Sequence, residues 1–119
     1  MLQKVAFTMY PVRDTARARA FYEGQLGLTV GSHSDNGIWT EYDLPGGGCL
    51  ALFRTSDIAP SASSGGSIAF EVDNLDALVT DLETSGVTIK ARGIESPVCR
   101  MAVVIDPEGN ALILHQLKR

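Results

Sequence analysis

The chain has 119 residues, of which 45% are hydrophobic and 20% charged, and a formal net charge of −4. That is enough chain and enough apolar material for one ordinary folded domain without a disulfide or a structural metal, and it excludes a disordered or fibrous protein. The charge is −1 in residues 1–59 and −3 in residues 60–119, with no basic patch, which argues against nucleic acid as a partner. No apolar run approaches membrane-spanning length and the first residues do not read as a signal peptide. Cys49 and Cys99 lack any zinc-like spacing, so the expected setting is a reducing cytoplasm with two free thiols.

In chain order, residues 5–10 read as a first strand, which Pro11 helps to end. Asp14 is a good N-cap for a helix over 15–25, whose apolar stripe is marked by Ala16, Ala20 and Phe21 and which Gly27 stops. Strands are expected at 28–30, 38–43 and 49–53, with a polar turn-rich stretch over 31–37 and a glycine turn at 45–48. Residues 58–66 are small, polar and flexible, and form the one linker-like segment. After it the pattern starts again. A strand spans 67–72, Asp73 or Asn74 caps a helix, and Leu75, Leu78, Val79 and Leu82 follow helical spacing up to Gly86. Strands at 87–89, 99–105 and 111–116 complete the chain. Asp106-Pro107-Glu108-Gly109-Asn110 is the turn before the last strand, with Gly109 and Asn110 tolerating positive φ.

The two halves therefore repeat one unit: strand, helix, three strands. The expected fold is α+β, with two βαβββ modules forming a curved mixed sheet around a cleft and the helices outside. Module one covers about 1–57, the linker about 58–66 and module two about 67–119.

Three stretches resemble the vicinal oxygen chelate superfamily, which includes glyoxalase I, extradiol dioxygenases and bleomycin-resistance proteins. They are Val12-Arg13-Asp14 with the run from Phe21 to Leu28, then Ile68-Ala69-Phe70-Glu71-Val72-Asp73-Asn74, and finally Asp106-Pro107-Glu108-Gly109-Asn110 with the strand after it. The resemblance implies the paired βαβββ fold and a homodimer. In the metal-dependent members it implies His and Glu ligands from strands of both halves. Those ligand positions fall here on Phe7, Ala51, Ser67 and Ile113, none of which is a normal ligand. No metal site and no cofactor is expected, and glyoxalase I activity and extradiol dioxygenation are not expected.

Strand alternation carries Met9, Cys49, Phe53, Ala69, Glu71, Ala111 and His115 onto the face of those four positions. A mainly apolar face with Ser67, Glu71 and His115 as polar members suits a small organic molecule. Glu71 and His115 either act together as acid, base or ligand anchor, or end their strands in solvent. Trp39 and Tyr42 point to opposite faces, and one of them either stacks on a planar ligand or belongs to the core. Cys99 beside Arg100 is either an activated thiol or an inert buried one. Arg100 either clamps an anion or pairs with Glu95 or Asp106. His33 is expected in an exposed loop, and Gly46-Gly47-Gly48 is not a phosphate loop.

The reading is a metal-independent small-molecule-binding protein of the glyoxalase/bleomycin-resistance type, holding its ligand in an apolar cleft of a homodimer. Its candidate ligand-binding residues are Phe7, Met9, Trp39, Tyr42, Cys49, Ala51, Phe53, Ser67, Glu71, Arg100, Ile113 and His115. The alternative is a lyase or isomerase using Glu71 and His115 as acid and base.

Overall fold

The computed structural model describes residues 1–118. The chain divides into two compact units, the first Met1–Pro60 and the second from Ser61 onward. Each is a βαβββ module with its own four-stranded mixed sheet and one helix against it. No helix among the described residues is long and apolar enough to cross a membrane.

In the first module, β1 (Thr8–Val12), β2 (Val30–His33), β3 (Trp39–Asp43) and β4 (Cys49–Arg54) lie in the order β1-β4-β3-β2. β1 and β4 are parallel and the other pairs antiparallel. Pro11 lies inside β1 rather than ending it. β1 is an edge strand, so a residue without an N–H costs no ladder bond on its open side. β2 begins at Val30, later than its apolar residues suggested, and runs through Gly31 and Ser32. Its pairing with β3, and not its own composition, makes it a strand.

The first helix, α1, starts at Thr15 behind Asp14, whose carboxylate accepts the Arg17 N–H at 3.0 Å. From Ala20 to Gln25 it widens into a π turn, in which the Leu26 N–H reaches the Phe21 carbonyl at 3.0 Å. The buried stripe is Ala18, Phe21 and Tyr22, while Ala16 and Ala20 face solvent. Phe21 and Tyr22 are the large groups, so the helix turns them to the sheet and leaves Ala16 and Ala20 outside.

In the second module, β5 (Ile68–Glu71), β6 (Thr88–Glu95), β7 (Cys99–Ile105) and β8 (Ala111–Leu117) lie in the order β5-β8-β7-β6, with β5 and β8 parallel. β6 is eight residues long, and two register shifts against β7 allow it to run past the short apolar stretch legible in the sequence. The second helix, α2 (Leu75–Thr84), is capped by Asn74, which accepts the Ala77 N–H at 3.1 Å. Leu75, Val79 and Leu82 are buried beneath it, and Gly86 at φ +90° stops it.

The turn before β8 is held by one carboxylate. Asp106 Oδ1 accepts the N–H groups of Glu108 and Asn110 at 2.9 and 2.8 Å, and Gly109 takes φ +105°. Asn110 stays out of the left-handed region, since no residue other than glycine has positive φ among those described. Its side chain instead accepts the Ser61 N–H at 3.2 Å. That bond ties the chain leaving the linker to the second module.

Candidate functional site

Each sheet has a face covered by its helix and an open face. Paired residues of neighbouring strands share a face, so the registers sort the candidate residues directly. In the first module, Met9 pairs with Ala51 and Ala51 with Glu41, while Pro11 pairs with Phe53 and Phe53 with Trp39. These six, with Cys49 and its partner Asp43, form the open face, on which Ala51 is itself fully buried. Tyr10, Thr40, Tyr42, Leu50 and Leu52 alternate with them and are buried on the helix side.

The open face of the first module is aromatic. Trp39 packs edge-on against Phe7, with ring centroids 5.4 Å apart and planes at 89°. Its other neighbour is Phe53, at 5.9 Å and 57°. Phe7 remains 45% exposed, which leaves an apolar ledge open to solvent. Beside the ledge lies Glu41. It accepts the Ser32 hydroxyl at 2.9 Å, and the Cys49 sulfur is 3.6 Å from its other oxygen. Hydrogen bonds from Ser32, and then from Trp39, hold the Glu41 carboxyl below the usual carboxylate range. Burial, then the Glu41 carboxylate, pushes the Cys49 thiol up, so Cys49 is not an activated nucleophile. No cationic side chain pairs with Glu41 among the described residues. Alternation from Trp39 was the signal that could have found Glu41 in the sequence.

Tyr42 sits on the other face. It is fully buried, stacks near Tyr22 at 6.1 Å and donates its hydroxyl to Glu23 at 2.8 Å. Burial raises its phenol far above the ordinary value. Glu23 also accepts from Arg19 Nε at 2.6 Å, and these partners hold its carboxyl below the usual range. Tyr42 thus anchors the π turn to the sheet. His33 is exposed at the edge, where its Nδ1 lies 3.3 Å from the Ser34 carbonyl.

In the second module, Ala69 pairs with Ile113 and Ile113 with Val103, while Glu71 pairs with His115 and His115 with Met101. Glu71 Oε1 is 2.5 Å from His115 Nδ1, and Glu71 Oε2 accepts the Leu117 N–H at 2.9 Å. The two side chains that alternation placed on one face are therefore in direct contact. The imidazole is 26% exposed. A hollow of about 640 Å³ opens at the strand ends beside Glu71, walled also by Val72, Asp73, Arg100, Gln116, Leu117 and Lys118. Ser67 and Ala69 are exposed and Ile113 is half-buried.

Arg100 pairs in register with Gln116, whose side chain accepts the first N–H of α2, so it lies on the helix side. Its guanidinium grips Asp76 at 2.6 and 3.2 Å and approaches Glu95 at 3.4 Å. Asp106 is occupied in its own turn. Cys99 is buried, with its sulfur 3.1 Å from the Ser96 hydroxyl.

The four positions where metal-dependent relatives would carry ligands hold a phenyl ring, a methyl group, one exposed hydroxyl and a branched alkyl chain. No group of three or more His, Cys, Asp and Glu side chains among the described residues is placed to hold an ion. A donor set of one serine hydroxyl does not fit a divalent cation that needs several N or O ligands.

The Glyoxalase/Bleomycin resistance protein/Dioxygenase superfamily model matches residues 4–114, nearly the whole chain. The chain belongs to that superfamily. A glyoxalase/dioxygenase from Nostoc punctiforme superposes with a TM-score of 0.81 at 21% identity, over 98% of this chain and 92% of that one. TnmS3, an antibiotic binding protein from Streptomyces sp. CB03234, gives a TM-score of 0.75 at 22% identity, over 98% of both chains. The anthracycline biosynthesis protein DauV of Streptomyces sp. (strain C5) is 27% identical over 109 residues, or 88% of this chain. The chain spans 38% of the length of that relative.

Proposed function

We propose that this superfamily member binds a small, planar organic molecule without a metal ion, on the open aromatic face of its first module. The observation that carries the reading is the Phe7–Trp39–Phe53 ledge beside a carboxylate, Glu41, that has no cationic partner among the described residues. Stacking on an aromatic plane favours flat ligands, and a carboxylate at its edge favours ligands that carry an amine. The similar antibiotic binding protein and the relative in anthracycline biosynthesis support a guest of that kind. A homodimer acting in the cytoplasm is part of the same proposal.

Trp39 is the single tryptophan, so its fluorescence lifetime reports on the ledge directly. Titration with daunorubicin, a planar amine, is expected to shorten that lifetime saturably. EDTA leaves the binding unchanged, and Trp39→Ala weakens it at least tenfold by calorimetry. Loss of binding in EDTA, or equal affinity of the Trp39→Ala protein, overturns the proposal, as does the absence of saturable binding. Sedimentation at the titration concentration tests the dimer.

A second reading is favoured by the Glu71–His115 contact at 2.5 Å: a lyase or isomerase in which this pair moves a proton.

A further inference from the structure

We propose that the second module carries a separate binding site for a small monocarboxylate with an apolar body, in a hollow between α2 and the bulged edge of its sheet. The site uses neither the ledge of the first module nor the Glu71–His115 pair, so it stands or falls independently of the readings above.

The hollow follows from a bulge. Ala91 pairs with Val103 and Ile94 with Met101, so Arg92 and Gly93 of β6 together face the single residue Ala102 of β7. Gly93 takes φ +69°, the conformation such a bulge asks of one residue. Arg92 forms an ion pair with Glu83 of α2, and Ala102 pairs with the buried Leu114, so this row lies on the helix side. Gly93 has no side chain and Ala102 only a methyl group. A Cβ at position 93 would meet nothing within 4 Å. Two small residues facing a helix leave a hollow of about 340 Å³, a size that suits a small organic guest. Ala102, Leu75 and Val79 give it a buried apolar lining.

The charges select the guest. Arg92 and Arg100 reach the hollow from the sheet, and Asp76 and the Thr80 hydroxyl reach it from α2. Two guanidiniums and one carboxylate leave the lining at +1, which favours a single negative charge. Arg100 grips Asp76 and approaches Glu95, while Arg92 holds Glu83. A guanidinium carries more N–H donors than these carboxylates take, and the remainder can donate to a carboxylate in the hollow. Asp76 is 73% exposed and Glu83 56%, and ion pairs so open to water are weak, so turning a guanidinium towards a guest costs little. Glu83 and Glu95 beside the arginines oppose a second negative charge, which disfavours phosphate. The hollow beside Glu71 also contains Arg100, but there Glu71 and Asp73 offset Arg100 and Lys118, so it offers an anion no net attraction.

The test is an amide NMR titration of the protein with sodium phenylacetate. Saturable shifts are expected at Val79, Gly93 and Ala102. Phenylacetamide keeps the shape without the charge, and inorganic phosphate keeps charge without the apolar body. Each is expected to bind about tenfold or more weakly than phenylacetate, the worth of one charge-assisted hydrogen bond. Arg92→Met, at a position 53% exposed where the fold does not depend on the charge, is expected to weaken phenylacetate by a similar factor. Trp39→Ala is expected to leave phenylacetate affinity unchanged. Equal affinity for phenylacetamide, or for the Arg92→Met protein, overturns the proposal, because the guanidiniums then recognise nothing. Phosphate binding as tightly as phenylacetate overturns the carboxylate class. Loss of affinity in Trp39→Ala, or the absence of saturable shifts at Val79, Gly93 and Ala102, overturns the site.

Discussion

The same row of the repeated module reads Pro11–Phe53–Trp39 in the first half and Glu71–His115–Met101 in the second. The row before it reads Met9–Ala51–Glu41 in one and Ala69–Ile113–Val103 in the other. One backbone thus presents an aromatic ledge with a carboxylate at its edge, and again an aliphatic patch with an imidazole–carboxylate pair set into it. The helix-covered faces differ far less: Leu50 and Leu52 in β4 answer Leu112 and Leu114 in β8, all of them essentially without exposure. Burial against a helix constrains residue type through packing, whereas an open face is free to diverge into chemistry.

The comparison can be broken most severely in the cores. Leu52→Ala and Leu114→Ala remove matched side chains that are each 1% exposed, and each is expected to cost roughly 3 kcal/mol in a urea melt. Hydrogen exchange is expected to speed mainly in the module that carries the substitution. A smaller effect separates the helices. Tyr42→Phe leaves Glu23 without one of its two donor residues and is expected to cost about 1–2 kcal/mol.

The Glu23 carboxyl also gives the first module a pH dependence. Its folded pKa is depressed, so its stabilising contribution is present above the unfolded carboxyl value of about 4.3 and is lost as pH falls through the lower folded value. Between about pH 5 and about pH 3, the Glu23→Gln protein is expected to lose stability less steeply than wild type in thermal melts. Removing the α2 cap by Asn74→Ala is expected to cost about 1 kcal/mol by the same melts. The smallest change has the opposite sign. Thr40 is 1% exposed and its hydroxyl has no partner, so Thr40→Val is expected to raise stability by about 1 kcal/mol or less.

Much of the fold was legible because its signals are local. Asp14 and Asn74 at helix starts, glycines at helix ends, and the helical spacing of Leu75, Val79 and Leu82 are all read within one turn of chain. The failures lie where a neighbour decides. Gly31 and Ser32 become strand only through β3, Pro11 stays in a strand only because β1 is an edge, and α1 takes its π turn as Phe21 and Tyr22 bury against the sheet. In the candidate site, alternation from the family's ligand positions put Glu71 and His115 on one face, and alternation from Trp39 could have added Glu41, yet neither gave a sign that Glu41 would have no cation to pair with among the described residues or that Arg100 would turn to Asp76.

From its sequence alone this protein is a duplicated βαβββ chain whose usual ligand positions hold no normal metal ligand, because period, caps and residue identity are properties of neighbouring residues along the chain. Which side chains meet was decided only by the tertiary structure. Register across strands brings Glu71 to His115 over a separation of 44 residues and assigns Tyr42 and Arg100 to the helix side. Contacts between distant segments depend on how sheets pair and helices pack, and no local pattern encodes them.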